Sequence, residues 1–185
     1  MFSIRPASLD DMPSVLNLYI SGNYVGSFSE SDVTYVATLN RGDIVGVVRR
    51  EREYGVSVLR GMQVHEDFRR IGIGRSLLQY FTQQLGSSAC FCIPYRHLIN
   101  FYGAAHFRVL SSTDAPTFLT ERMNDYLKNN NGKEYVLMYR PSLFACEFQD
   151  WNWRLRNWVD DNTAKFYYST CALDAKQLNC LLTEF

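Results

Sequence analysis

The chain has 185 residues, enough for one domain with a full core, or for one domain and an appendage. With 46% hydrophobic and 15% aromatic residues it is a folded globule and not a disordered chain. Its 19 basic and 19 acidic side chains cancel, so no global field points to nucleic acid or an anionic membrane as partner.

The opening MFSIRPASLDDM carries charge early and lacks the apolar run of a signal peptide. Phe2 to Ala7 reads as a first strand stopped by Pro6. Ser8 to Asp11 then gives a cap and an acidic first turn to a helix with Met12, Val15, Leu16 and Tyr19 at helical spacing. Ser21 to Ser31 is a Gly/Ser/Asn-rich link containing Tyr24 and Phe28. Val33 to Leu39 and Ile44 to Val48 alternate as strands, joined at Asn40 to Asp43 by a hairpin signal with Gly42 in the turn. The charge run Arg49 to Glu53 reads as the solvated end of that third strand. Tyr54-Gly55 leads into a central strand at Val56 to Val64.

The most informative stretch overlaps that strand and runs from Val58 to Leu85. It breaks at His65-Glu66-Asp67 and passes through Arg69-Arg70-Ile71-Gly72-Ile73-Gly74-Arg75. It continues as an amphipathic helix with Leu77, Leu78, Phe81 and Leu85 along one stripe. Gly72 and Gly74 permit unusual dihedrals and close approach of a ligand. A helix beginning at about Gly74 points its unpaired first amides and positive dipole end at the turn, and such ends bind phosphate. Arg69, Arg70 and Arg75 add cationic, planar donors. Taken alone, the pattern fits either a tight strand-to-helix connection or a pyrophosphate cradle. It is neither G-x-x-x-x-G-K-[ST] nor the three-glycine dinucleotide fingerprint.

Gly86 to Ser88 stop this helix, and Ala89 to Ile93 is a short buried strand ended by Pro94. His97 to Ala105 forms a short helix carrying Phe101 and Tyr102, and Phe107 to Leu110 begins a strand. Asp114-Ala115-Pro116 caps a helix running to about Lys128. Asn129 to Gly132 breaks it before a last strand, Glu134 to Tyr139. The five cysteines are odd in number and have no zinc-binding spacing, so reduced thiols in the cytoplasm and no metal are expected. No window has the apolar length of a membrane span.

All three tryptophans, Trp151, Trp153 and Trp158, fall after Pro141, among Phe144, Phe148, Phe166, Tyr167 and Tyr168. Asp174 is placed to cap a helix with Leu178, Leu181 and Leu182 on one face. The expected organisation is a domain at 1–141 and an aromatic extension at 142–185. That extension either packs on the domain or forms a homodimer or partner surface.

Two segments together carry a family resemblance. QVHEDFRRIGIGRSLL resembles the coenzyme A pyrophosphate loop of the GNAT superfamily of N-acetyltransferases, Arg/Gln-x-x-Gly-x-Gly/Ala, with Arg69, Gly72 and Gly74 in the defined positions. LINFYGAAHF, Leu98 to Phe107, resembles the family's F-Y-E-K-x-G-F pattern. The resemblance implies an α/β fold of the α+β type. Its mixed, mostly antiparallel central sheet would be flanked by helices, with the fourth and fifth strands splayed around acetyl-CoA. It implies that Met62, Gln63 and Val64 contact pantetheine through the backbone, one amide polarising the thioester carbonyl. Arg69, Arg70, Ile71, Gly72, Ile73, Gly74 and Arg75 would hold the pyrophosphate, and Tyr102 would protonate the departing thiolate. Tyr24 and Phe28 fall where the family covers its acceptor, so they line the acceptor site or simply pack.

The chain also departs from the family pattern. His106 stands for the glycine before the last phenylalanine, Gly103-Ala104 for a Glu-Lys pair, and Tyr95 for an asparagine that helps hold pantetheine. Acetyl transfer to an amine needs the acceptor held beside the carbonyl, a base for the ammonium and an acid for the thiolate. Between Val56 and Met62 the only charge is Arg60, so the base is sought among His65, Glu66, Glu30, Glu51 and His97. The expected activity is acetyl transfer from acetyl-CoA to a primary amine of a small molecule or peptide, directly in a ternary complex. The alternative is a coenzyme A-binding sensor or partner-binding module without transfer.

Overall fold

A computed structural model describes residues 2–142 except 25, 27, 30, 130 and 131. The aromatic extension, with its expected packing or dimer contacts, lies outside the described residues, and so does Glu30.

Four strands form an antiparallel meander: β1 (Phe2–Pro6), β2 (Val33–Leu39), β3 (Ile44–Glu53) and β4 (Val56–Val64). The β2–β3 turn places Gly42 at φ 90°, a conformation that only glycine adopts without strain. After β4 the chain crosses over through helix α2 (Ile73–Leu85) to β5 (Cys90–Cys92), which pairs parallel to β4. Helix α3 (Ile99–Gly103), strand β6 (Arg108–Val109), helix α4 (Thr117–Lys128) and strand β7 (Met138–Arg140) complete the described chain. The sheet order is β1-β2-β3-β4-β5-β7-β6, so the mixed, mostly antiparallel sheet expected from the sequence is present.

The α2 stripe is buried as its spacing predicts: Leu77, Leu78, Phe81 and Leu85 pack on Tyr35, Ala37, Val48 and Leu59. Each such side chain contributes about 1.5–3 kcal/mol. On the opposite face, helix α1 (Met12–Ser21) sets Val15, Leu18 and Tyr19 against Val36 and Val47. There α4 sets Leu119 against Val56, Val58 and Phe91. Just past the C-terminal end of α2, Arg140 from β7 donates to the carbonyls of Gly86 and Ser88 at 3.1–3.2 Å, a cation on the negative end of the helix.

The charge run departs from the sequence expectation. β3 does not end in solvent at Val48; it continues to Glu53, and its two-residue period turns Arg49, Glu51 and Glu53 onto the face covered by α1 and α4. Arg49 is 0% and Glu51 8% exposed. Burial is tolerated because each charge has an opposite partner from another element. Arg49 lies 2.8 Å from Asp32 and Arg60 of β4 lies 2.5 Å from Glu51. Arg122 of α4 donates to Glu53 at 2.7 Å. The last strand also starts later than its composition predicts, because Tyr135 makes only an isolated bridge to Tyr95 before β7 begins at Met138.

Candidate active site

The site begins where β4 loses one neighbour. β5 pairs with β4 only from Ser57↔Cys90 to Leu59↔Cys92, and Pro94 follows shortly after. β3 stays paired with β4 as far as Gly46↔Val64. Arg60 to Val64 therefore present a strand edge to a slot, and the fourth and fifth strands diverge as the resemblance implies. At the same place β4 carries a bulge. Between the pairs Arg49↔Arg60 and Val47↔Gln63, β3 supplies Val48 alone and β4 supplies both Gly61 and Met62. Gly61 sits at φ 58°, in the left-handed region. Met62, Gln63 and Val64 thus all lie on the open edge. Two of them have further ties: Gln63 Nε2 donates to the Leu18 carbonyl at 3.1 Å, and the Val64 carbonyl accepts from Arg69 Nε at 2.9 Å.

That second bond folds the next loop back onto the strand end. Arg70 (φ 64°) and Gly72 (φ 95°) both take left-handed conformations, which turn the backbone sharply ahead of α2. Gly72 is the N-cap of α2, whose first amides point into this turn. Ile73 is buried and anchors the helix start, whereas Arg69, Arg70, Ile71 and Arg75 are exposed around it. The two glycines have different reasons. A Cβ at Gly72 would touch no protein atom, so its backbone angle is what requires glycine. A Cβ on Gly74 would make ordinary contact, 3.7 Å, with Phe101 and Val64, so this glycine marks where α3, α2 and the end of β4 meet.

Tyr102 lies on α3 within the cluster that includes Leu59, Ile73 and Cys92, on the α2 side of the slot. Its ring is 5.0 Å from Phe101 and 6.0 Å from Phe107. Burial, with a smaller push from Cys92, raises its phenol well above the usual tyrosine range, so it keeps its proton at neutral pH. Cys90 and Cys92 are free thiols, and burial pushes Cys90 up to about 12. His106, where the family has glycine, adopts φ 66°, which explains the family's preference. Histidine is among the residues that enter this region more readily than most.

Tyr95 is turned toward the far side of β5. Its ring is 4.8 Å from that of Tyr135 and stacks on His97 at 5.6 Å, and Lys133 Nζ donates to its hydroxyl at 3.4 Å. With Arg96, His97 and Lys133 it borders an open cavity of about 510 Å³. Tyr24 and Phe28 gather around Arg49, whose guanidinium carbon lies 4.1 Å from the Phe28 ring centre and 5.9 Å from that of Tyr24. Arg49 also donates to the Tyr24 hydroxyl at 3.2 Å. Both aromatics therefore pack, while Phe28 remains 36% exposed on its outer side.

Among the candidate bases, His65 caps the short turn at Glu66–Phe68 by accepting from the Asp67 amide. Glu66 is exposed on the same turn, and His97 belongs to the cavity beside Tyr95. Glu51 differs, being buried opposite Val58 of β4 and bonded to Arg60. Burial raises its pKa, and Arg60 only partly offsets this. Burial also pushes Glu53 upward, but the hydrogen bonds from Arg122 and Glu51 and the charges of Arg122 and Arg60 together reverse it, leaving that carboxyl below its ordinary range. This network of Glu51, Glu53, Arg60 and Arg122 is what the sequence reading missed; the signal was the two-residue period of R-R-E-R-E. Among the described residues no group of three His, Cys, Asp or Glu side chains could hold a metal, and no helix is long and apolar enough to cross a membrane.

Comparison with known proteins agrees with this geometry. Residues 30–109 match the family model of the acetyltransferase (GNAT) domain. No curated protein matches the chain by sequence. Among solved structures, the ribosomal-protein-S18-alanine N-acetyltransferase from Escherichia coli superposes with a TM-score of 0.61 at 18% identity, covering 80% of this chain and 97% of that one. Escherichia coli ElaA gives 0.59 at 14% identity, covering 76% and 99%. N-acetylglutamate synthase from Neisseria gonorrhoeae, complexed with coenzyme A and N-acetyl-glutamate, gives 0.56 at 18% identity, covering 76% and 35%. The matched domain is that of acetyltransferases, and the sheet order and crossover are those of the fold neighbours. Residues 30–109 thus carry the GNAT acetyltransferase domain match, and the described chain has the fold of GNAT N-acetyltransferases.

Proposed function

We propose that the chain moves the acetyl group of acetyl-CoA to a primary amine of a small molecule or peptide, by direct transfer in a ternary complex. The observation that carries this reading is the open β4 edge, which begins at Arg60 where the β5 ladder has ended. Pantetheine carries amides of its own, so it can line that edge at Met62, Gln63 and Val64 in place of the departed strand. The Arg69–Arg75 turn takes the pyrophosphate, through the first amides of α2 and the arginines around them. Residues 1–141 form the catalytic domain in this reading, and 142–185 an appended segment.

The proton steps fall to two buried groups. Tyr102, kept protonated by burial, donates a hydrogen bond to the departing thiolate, a far weaker base than the phenolate, so partial transfer is enough. Glu51, raised by burial, accepts the ammonium proton through water, while Arg60 holds its carboxylate in place. The acceptor enters on the face of α1 and α4, beside Phe28. The names of two fold neighbours support amines of either size, since one acts on an alanine of a ribosomal protein and the other was captured with N-acetyl-glutamate.

The test is thiol release from acetyl-CoA against a panel of amines and peptides. Tyr102→Phe should lower turnover by roughly ten- to ten-thousand-fold, with the acetyl-CoA dissociation constant changed less than about twofold. Full turnover in that variant would return Tyr102 to the core. A ligand-induced thermal shift with no thiol release across the panel would make the chain a coenzyme A-binding module instead.

A further inference from the structure

The β4 bulge is tied to α1 by a hydrogen bond from a buried tyrosine. The Tyr19 hydroxyl donates to the Gly61 carbonyl at 2.8 Å, and Tyr19 is 2% exposed. The two residues are fitted to each other, since a Cβ on Gly61 would lie 2.4 Å from the Tyr19 hydroxyl oxygen. One residue earlier in α1, the Leu18 carbonyl accepts from Gln63. The last turn of α1 therefore staples both sides of Met62 from the face opposite α2.

The consequence lies in the peptide that joins Gly61 to Met62. A trans peptide is planar, so its N–H points opposite to its C=O. The Gly61 carbonyl is drawn toward α1 by Tyr19; the Met62 N–H is therefore aimed away from α1, toward the side of the sheet where α2 and Tyr102 lie. A hydrogen bond on the carbonyl also polarises the peptide and makes its N–H a better donor. We propose that Tyr19 is a positioning residue for acetyl transfer, aiming and strengthening the Met62 amide as the donor to the thioester carbonyl. Surrounding contacts hold Tyr19 itself. Its ring is 4.5 Å from that of Tyr24, and the buried Arg49 guanidinium carbon is 5.8 Å from its ring centre. Tyr24 and Phe28 of the link and the bulge of β4 thus meet at one tyrosine.

This proposal rests on the acetyl-transfer reading, and the experiment separates the two. Tyr19→Phe keeps the ring and removes the bond. Turnover should fall about ten- to hundredfold, as expected for a misaimed group, while the acetyl-CoA dissociation constant moves less than about twofold. Leu18→Ala, which loosens the same helix without touching the hydroxyl, controls for stability. An equal fall in turnover in both variants would overturn the positioning role. A readout independent of activity is the backbone amide resonance of Met62 in the intact, isotope-labelled protein. On addition of acetyl-CoA without acceptor it should move downfield more than the amides of Val58 to Arg60, and Tyr19→Phe should abolish that difference. Should Tyr19→Phe fail to fold, the unmodified protein still decides, because a Met62 amide that does not move overturns the proposal. If acetyl-CoA binds nowhere on the intact protein, the acetyl-transfer reading falls and this one with it. Binding with an unmoved Met62 overturns this one alone.

Discussion

The two halves of β4 make different use of one strand. Ser57 to Leu59 are paired on both edges, to β3 and β5, and Val56 and Val58 are buried beneath α4. Arg60 to Val64 are paired on one edge only, carry a left-handed glycine, and are each only partly buried. The first half is made of residues that fill a pleated, covered surface. The second gives up a ladder of hydrogen bonds, and its backbone polar groups must find other partners. Some do so within the chain, at Tyr19 and Arg69; the remaining edge is what a ligand can use. Stability and chemistry are divided along the strand at Leu59.

The strongest way to test that division is to damage the closed half. Phe91 of β5 sits opposite Val58, is 2% exposed and lies 4.8 Å from the Tyr139 ring. Phe91→Ala should cost about 3–5 kcal/mol in denaturant unfolding, while the fraction still folded keeps its turnover. Tyr102→Phe, on the helix beside the open half, should cost less stability and more activity. If both variants lose stability and turnover in the same proportion, the two halves are one unit.

The closed half was also the easier to read from sequence. Its apolar alternation, the α2 stripe and the Cys90–Cys92 run all report burial directly, and burial is what hydrophobic periodicity measures. The open half has no such signature. Loss of pairing with β5 is a property of two segments far apart in sequence, and the bulge depends on register with β3, which no local pattern encodes. Only the family resemblance pointed there. The buried charges on β3 were lost for another reason: polarity was read as exposure, although Arg49, Glu51 and Glu53 keep the strand period and their partners Asp32, Arg60 and Arg122 come from other elements.

Next in size is the loop that continues the open half. Gly72→Val forces a β-branched residue to φ 95°, costing on the order of 1–3 kcal/mol. It also projects a side chain into space that no protein atom occupies. Acetyl-CoA affinity, measured by calorimetry, should fall at least about tenfold, with the melting temperature lowered only modestly because the strain is local. Affinity equal to that of the wild type would remove the turn from the binding site.

Glu51 bridges the halves, since it lies opposite Val58 and bonds Arg60. A carboxyl whose folded pKa is raised favours the fold below its unfolded value, about 4.3, and that contribution is lost as pH rises through the folded value. The wild type should therefore lose melting temperature relative to Glu51→Gln as pH climbs from about 4 to 7. In turnover, the acidic limb of the pH profile should disappear in Glu51→Gln. If the wild type instead gains relative stability over that range, Glu51 is ionised throughout by Arg60 and is a structural partner, not a base.

The smallest effect concerns the helix that carries Tyr102. His106 ends that helical segment at φ 66°, its amide donating to the Gly103 carbonyl at 3.0 Å, and its side chain is exposed. A left-handed conformation costs an L-residue about 1–2 kcal/mol, whereas glycine gives back roughly 0.5–1 kcal/mol through its freer unfolded chain. His106→Gly should accordingly stabilise by about 0.5–1 kcal/mol, a rise of about 1–4 °C in melting temperature. Turnover should not change, because the backbone at 106 keeps its shape and Tyr102 its place. His106→Ala meets the same backbone cost without the polar ring that eases it, and should fall below the wild type. Were His106→Gly to melt lower, the imidazole would be contributing a contact larger than the strain it carries, and the family's glycine would be explained by something other than φ.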